Sequence, residues 1–277
     1  MAIGPPVKGG PCRPASPLTI ALLGPPYLAL PNQQLSIQGS KAEALLVQLA
    51  IFHRAPVARS FLLEQLWPTD EPTLAGQALS SLSSELNKFS RKVGNRVNIL
   101  VSEHGYHGFN LEVGVSTDIE QFDRLRTRGL ALLAQGDAQT GIHACQQALA
   151  LYRSDLCGDE NIHTVIERER LRTAMLDLLS ALADQACQSG DLPEALVYLQ
   201  RLLLHEPYRE DIHRQLMVCY AQMGLRTRAL HQYRVCERIL ATEFGMVPEA
   251  ITTHLYEQIR SGATVTDAAV NCPVGTR

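Results

Sequence analysis

The sequence predicts a mainly α-helical chain with a small α+β part at its N-terminus. Three observations carry this reading. Short apolar runs broken by Gly24-Pro25-Pro26 and Pro31-Asn32 come first. Three helical stretches follow, closed by a turn at His104-Gly105. From Thr117 onward only helical periodicity remains, and two glycines, Gly190 and Gly224, stand 34 residues apart, the length of a tetratricopeptide unit.

Taken in order, residues 1–17 hold five prolines and three glycines and too little apolar surface to offset chain entropy, so they are expected to be disordered. Leu18 to Ile37 reads as two or three short strands with turns. Ser40 is placed to cap a first helix, with Glu43 completing a capping box, and that helix runs to about His53. Ser60 to Trp67 is a second, shorter helix closed by Pro68. A third runs from near Thr73 to about Val93, where Gly94-Asn95 supplies a stop. Residues 96–111 alternate and turn at His104-Gly105, which predicts a hairpin. Strands, three helices and a terminal hairpin make a winged helix-turn-helix order, in which the third helix enters the major groove.

Behind it the sequence predicts an all-α tetratricopeptide-like helical repeat domain. Three segments starting at Gly136, Gly190 and Gly224 share a register. Five, nine and twelve residues past each glycine stand Gly141, Cys145 and Ala148; Ala195, Leu199 and Leu202; Ala229, Tyr233 and Cys236. All are small or apolar, as a close helix crossing requires. An extra helix or loop is expected around Arg153–Thr164. The division read from the sequence is therefore a tail at 1–17, a winged-helix domain at 18–112, a helical-repeat domain at 113–262, and a second disordered tail at 263–277.

Composition narrows the classes. The chain of 277 residues is 45% apolar and carries a net charge of −3, so it is neither a polycation nor an acidic tail. Residues 18–112 balance seven Lys/Arg against seven Asp/Glu, whereas 113–262 carry fifteen against twenty. Within 77–110 there is a local excess of two positive charges, from Lys88, Arg91, Lys92 and Arg96 against Glu85 and Glu103. The seven cysteines are odd in number, widely spaced and form no CxxC pair, which argues against a disulfide framework or zinc knuckle and for a reducing, cytoplasmic setting. No apolar run reaches the roughly 20 residues needed to span a bilayer, and the short run Leu18–Gly24 lacks the form of a signal peptide.

On the third helix Leu79, Leu82, Leu86, Phe89 and Val93 form one apolar stripe. The opposite side carries Gln77, Ser80, Ser84, Asn87, Lys88, Arg91 and Asn95. Amide side chains suit adenine edges, Arg and Lys suit guanine or phosphate, and Ser suits either base or backbone. With Arg96 at the start of the hairpin, the candidate DNA-contacting set is Gln77, Ser80, Ser84, Asn87, Lys88, Arg91 and Arg96. The ordinary alternative is the polar outer side of any surface helix; the element order and the hairpin favour DNA. His104 and His107 are read as solvated turn residues, with phosphate contact as the alternative. Trp67, the one tryptophan, is expected to plug the space between helices two and three.

Catalytic and metal chemistry have no footing in the motifs. Gly39-Ser40-Lys41 lacks the preceding glycine of a P-loop, and no GxSxG, HExxH or dinucleotide fingerprint occurs in context. His104 and His107 have no further ligand nearby. Asp155, Asp159 and Glu160 lack calcium-loop spacing and read as a loop, and Glu167-Arg168-Glu169-Arg170 reads as a solvated helix face with local ion pairs. No enzyme activity, cofactor or metal is expected.

The string Glu206–Pro248 (EPYREDIHRQLMVCYAQMGLRTRALHQYRVCERILATEFGMVP) and the ERERL element at Glu167–Leu171 resemble the bacterial transcriptional activator domain. IALLG (Ile20–Gly24), LWP (Leu66–Pro68), the Leu82–Gly94 pattern and HGYHGFNL (His104–Leu111) resemble the OmpR-like winged helix of SARP-like regulators. The resemblance implies a sequence-specific transcription activator that binds double-stranded promoter DNA and recruits RNA polymerase, with a homodimer on repeated sites as a further option, and no membrane. It places Lys88 and Arg91 where the family's third helix carries arginines. Ser83 stands where a basic residue is common, which is expected to weaken phosphate binding, and His163 stands where a tryptophan is common. No ATPase or sensor module is expected after the repeats. The competing reading is a helical-repeat interaction adaptor with a degenerate winged helix.

Overall fold

In the computed structural model, residues 18–30, 33–52, 55–92, 98–110 and 115–263 are described. Three short strands come first: β1 (Thr19–Ala21), β2 (Tyr27–Leu30) and β3 (Gln33–Ser36). Then follow α1 (Ser40–Ile51), β4 (Val57–Ala58), α2 (Arg59–Leu66) and α3 (Pro72–Lys92). The hairpin is β5 (Leu100–Glu103) and β6 (Tyr106–Phe109), and β7 (Ser116–Thr117) leads into α4 (Asp118–Ala134). The remaining helices are α5 (Ala138–Leu151), α6 (Ile162–Ser189), α7 (Leu192–His205), α8 (Glu210–Gln222), α9 (Arg226–Phe244) and α10 (Ala250–Ser261).

The first sheet runs in the order β3-β2-β1-β7. Its first three strands are an antiparallel meander with Ile20 opposite Leu28 and Leu28 opposite Leu35; β7 joins β1 in parallel. The second sheet has the order β4-β6-β5, so the wing is three-stranded. Two strands escaped the sequence reading, β4 and β7. Each is two residues long, too short to show alternation.

The capping box expected at Ser40 is not formed. Gly39 occupies the N-cap with φ 107°, and its carbonyl takes the N–H groups of Ala42 and Glu43, with no side-chain cap. Gly94-Asn95, Arg96 and the ends expected at His53 and Val93 lie outside the described residues, as do the tails apart from Ala263.

The chain forms two compact units, and the first of them draws on residues beyond 112. One unit takes in the described residues up to Thr127 together with Gln146–Thr173. The other takes in Arg128–Cys145 and the residues from Ala174 onward. The physical reason lies at Asp118, which is buried and points its carboxylate at the first sheet. It accepts the main-chain N–H groups of Leu22 (2.8 and 2.9 Å) and Leu23 (2.9 Å), with Arg153 Nη2 3.5 Å away. Burial raises its pKa, opposed by those N–H donors and Arg153. The segment after α5 returns to the same sheet, where Leu156 bridges Leu23. No extra helix fills it; the loop is wrapped around Arg168. That guanidinium donates to the carbonyl of Leu156 (3.0 Å) and pairs with Glu160 (3.0 Å). The ERERL element is therefore more than a solvated face, since Arg168 organises the acidic loop and Arg170 forks onto Asp123 (3.0 and 2.8 Å). His163 joins Phe52 and Phe61 in an aromatic cluster, with ring centroids 5.9 and 5.4 Å away.

The core of this first unit is drawn from Ile20, Leu22 and Leu28 of the sheet, Leu45 and Leu46 of α1, Leu62 and Leu66 of α2, and Leu79 of α3, all fully buried. In the second unit the repeat register holds. Gly136, Gly190 and Gly224 all adopt positive φ, 85°, 78° and 74°, as the residues that end a helix in the left-handed region. Cys145, Ala195, Leu199, Leu202, Ala229 and Cys236 are all buried.

Candidate nucleic-acid interface

The third helix is the longest element of the N-terminal unit's globular part before the hairpin, at 21 residues. Ala75, Leu79, Leu86 and Ser90 turn into the domain and are buried. Leu82 and Phe89, expected in that stripe, are half-buried at its edge. Opposite them Gln77, Ser81, Ser84 and Lys88 follow the spacing i, i+4, i+7, i+11 and are all exposed or half-exposed, so one polar line runs along the helix. Ser80 and Arg91 flank that line and are exposed as well. Glu85 lies on the other flank, beside Lys88.

Two locks hold this helix. Near its start, Arg59 donates from Nη2 to the carbonyl of Gly76 (2.7 Å), while its own main-chain N–H reaches the carbonyl of Gly105 at the hairpin tip (2.8 Å). A Cβ at Gly76 would sit 2.5 Å from Arg59 Nη2, so glycine makes room for the guanidinium. Near its end, Asn87 donates from Nδ2 to the carbonyl of Leu100 (3.1 Å) and accepts the Leu100 N–H at Oδ1 (2.9 Å). The hairpin is thus tied to the helix at both ends. Its tip is a tight turn in which His104 (φ 51°) and Gly105 (φ 81°) are both left-handed, as a two-residue turn of the primed type demands.

The candidate residues fare differently. Gln77, Ser84 and Lys88 face solvent. Ser80 is exposed, but its hydroxyl donates back to the Gly76 carbonyl (2.9 Å). Arg91 reaches the Asn98 side chain (2.8 Å). Asn87 is a correction: both ends of its amide are committed to the wing backbone, so it is a clamp and not a groove reader. Arg96 lies outside the described residues. Ser83, expected to add nothing to phosphate binding, is half-buried. Its hydroxyl is buried without a hydrogen-bond partner, so position 83 turns toward the domain and bears on packing, not on phosphate contact.

His107 is a second correction. It is no turn residue but a member of β6, paired with Val57 of β4 and only 5% exposed. Burial, and then the Arg59 charge, lower its pKa below the ordinary histidine value. His104 stays at the exposed tip. Trp67 is half-buried where α2 ends, with Lys41 Nζ 5.6 Å from its ring centre.

Sequence reasoning missed Arg59 and Ser81. Together with Pro72, Thr73, Gly76, Gln77 and Ser80 they line an open hollow of about 600 Å³. The signal for Arg59 was its position. A cation on the first residue of a helix opposes the helix dipole, so its guanidinium is expected to find an acceptor away from that helix, here the Gly76 carbonyl of α3. Among the described residues no group of three or more His, Cys, Asp or Glu is arranged to hold a metal ion, and no helix is long and apolar enough to cross a membrane.

Comparison with known proteins adds to this geometry. The model of the bacterial transcriptional activator domain matches residues 117–260. The transcriptional regulatory protein MoaR1 of Mycobacterium tuberculosis is 27% identical over 243 residues, covering 86% of this chain and 78% of that protein. The transcriptional regulator RedD of Streptomyces coelicolor is 28% identical over 251 residues, covering 87% and 69%. A solved structure of Mycobacterium tuberculosis EmbR in complex with a low affinity phosphopeptide superposes with a TM-score of 0.70 at 22% identity. It covers 91% of this chain and 68% of that one, and the likeness is one of fold.

Proposed function

Because the chain belongs to the bacterial transcriptional activator domain family and is a transcription regulator of the SARP type, we propose that residues 18–112 are the part that grips promoter DNA. In this reading α3 lies in the major groove with Gln77, Ser81, Ser84 and Lys88 toward the bases, and the β5–β6 hairpin lies along the adjoining backbone. Arg59 and Arg91 sit at the flanks for phosphate, and Arg96 belongs to the same set. The observation that carries the reading is the polar line along a helix held by Arg59 of α2 at Gly76 and by the wing at Asn87. Such a helix presents its contacts without first ordering them, which lowers the entropic cost of binding.

Residues 113–262 form the repeat part in this proposal, through which the promoter-bound protein recruits RNA polymerase and pairs with a second copy on repeated sites. The reading sets the protein in the cytoplasm and gives it no catalytic role.

A mobility-shift titration with the DNA upstream of its own gene tests the proposal. Sequence-selective retardation that is lost in the Lys88→Ala/Arg91→Ala double variant, with folding intact, supports it. The second reading, an interaction adaptor with a degenerate winged helix, draws on the bonds that tie Asn87 to the wing backbone and Arg91 to the Asn98 side chain at the surface. Absence of retardation by the wild-type protein at every salt concentration favours that adaptor.

A further inference from the structure

Five cysteines lie among the described residues, and two of them meet. Cys187, in the last turn of α6, and Cys219, in α8, bring their sulfur atoms to 3.9 Å. Both are reduced thiols; Cys187 is half-buried and Cys219 buried. They belong to the same compact unit, separated in sequence by the whole of α7.

The other three cysteines do not share this arrangement. Cys145 and Cys236 are buried at helix-crossing positions, and burial raises both thiols, Cys236 to about 12. Cys157 lies in the loop before α6, and burial pushes it up to about 12. Held protonated, such thiols are poor nucleophiles and behave as small apolar side chains.

From the contact of Cys187 with Cys219 we infer that the second unit carries a peroxide-responsive staple, a thiol pair that oxidises to a disulfide joining α6 to α8. Disulfide formation needs two thiols already close and one of them open to the oxidant, and this pair supplies both conditions. The chemistry balances with hydrogen peroxide as the oxidant. The Cys187 thiolate attacks one peroxide oxygen; an S–O bond forms, the O–O bond breaks, and the departing hydroxide takes up a proton as water. The sulfur of Cys219 then attacks the Cys187 sulfenic acid. An S–S bond forms, the S–O bond breaks, and the second oxygen leaves as water with the Cys219 proton. Both sulfur atoms are oxidised and peroxide is reduced to two waters.

The bridge would close a segment of 33 residues containing α7. Cross-linking that segment removes conformations from the unfolded chain, so the oxidised protein unfolds at a higher temperature. In a reducing compartment such a bridge is transient, which suits a response to oxidant and not a permanent support.

The test treats the folded, full-length protein with stoichiometric peroxide, traps residual thiols with an alkylating reagent, and digests with trypsin. The expected product is the peptide Thr173–Arg201 linked to Gln215–Arg226, with the loss of two hydrogen masses. Its unfolding midpoint is expected to rise by about 5 °C and to return with dithiothreitol. The Cys187→Ser and Cys219→Ala variants are each expected to lose both the linked peptide and the shift. The inference is overturned if both cysteines remain alkylatable, if Cys187 advances to the sulfinic acid without linkage, if either pairs with a different cysteine, or if the link forms only in urea.

Discussion

Asn87 of α3 and Leu100 of β5 exchange two hydrogen bonds, side-chain amide to main chain, at 3.1 and 2.9 Å. The pair completes the backbone bonding of a strand end while fixing the distance between a helix and its wing. Removing the amide leaves the Leu100 N–H and C=O without these partners in a part-buried place. Asn87→Ala is therefore expected to lower stability by about 1–3 kcal/mol, the usual penalty for unsatisfied groups. Urea unfolding of the two proteins measures it. A midpoint unchanged by the substitution would contradict the clamp.

The outer line of α3 carries few cations, and the salt dependence of DNA binding should reflect this. Each phosphate neutralised adds about 0.9 to the slope of log affinity against log salt on duplex DNA. Lys88→Ala is expected to reduce that slope by about one unit if it meets a phosphate. It leaves the slope nearly unchanged, with altered sequence preference, if it meets a base. Affinity measured at four salt concentrations on two operator variants separates the cases, and no effect on either quantity removes Lys88 from the interface.

Ala195 on α7 is fully buried, five residues past Gly190 in the repeat register. A larger side chain there has no space to enter. Ala195→Leu is expected to destabilise the second unit by about 1–3 kcal/mol through overpacking. Calorimetry of the variant checks this, and an unshifted transition would contradict the register.

His213 on α8 is buried and satisfied only as a neutral ring. Its Nε2–H donates to the Pro207 carbonyl (2.8 Å), and Nδ1 accepts from the Gln232 amide (2.7 Å). Burial lowers its pKa, against the Pro207 bond and the nearby charges of Glu210 and Asp211. A histidine whose folded pKa lies below the unfolded value of about 6.5 binds its proton more readily when unfolded. Its contribution to stability is present above that unfolded value and is lost as pH falls below it toward the lowered one. His107, lowered in the same direction, adds to the effect. The unfolding midpoint is expected to fall as pH drops from about 7.5 to about 5.5, and to fall less in His213→Gln. An equal fall in both proteins would exclude His213 as a source.

The part of this protein set by local chemistry was legible in its residues. Apolar spacing located all three helices of the N-terminal part, and the glycines at 136, 190 and 224 located the repeat, because period and turn propensity act over a few neighbours. Relations between distant segments were not legible. Nothing local marks Asn87 as a wing clamp, Ser83 as inward-facing, His107 as a buried strand residue, or Asp118 as an anchor for Leu22 and Leu23. An amide or a carboxylate has the same composition whether it faces water or a main chain 96 positions away. Which of the two it meets is decided only when helices and sheets pack and every buried N–H and C=O must find a partner.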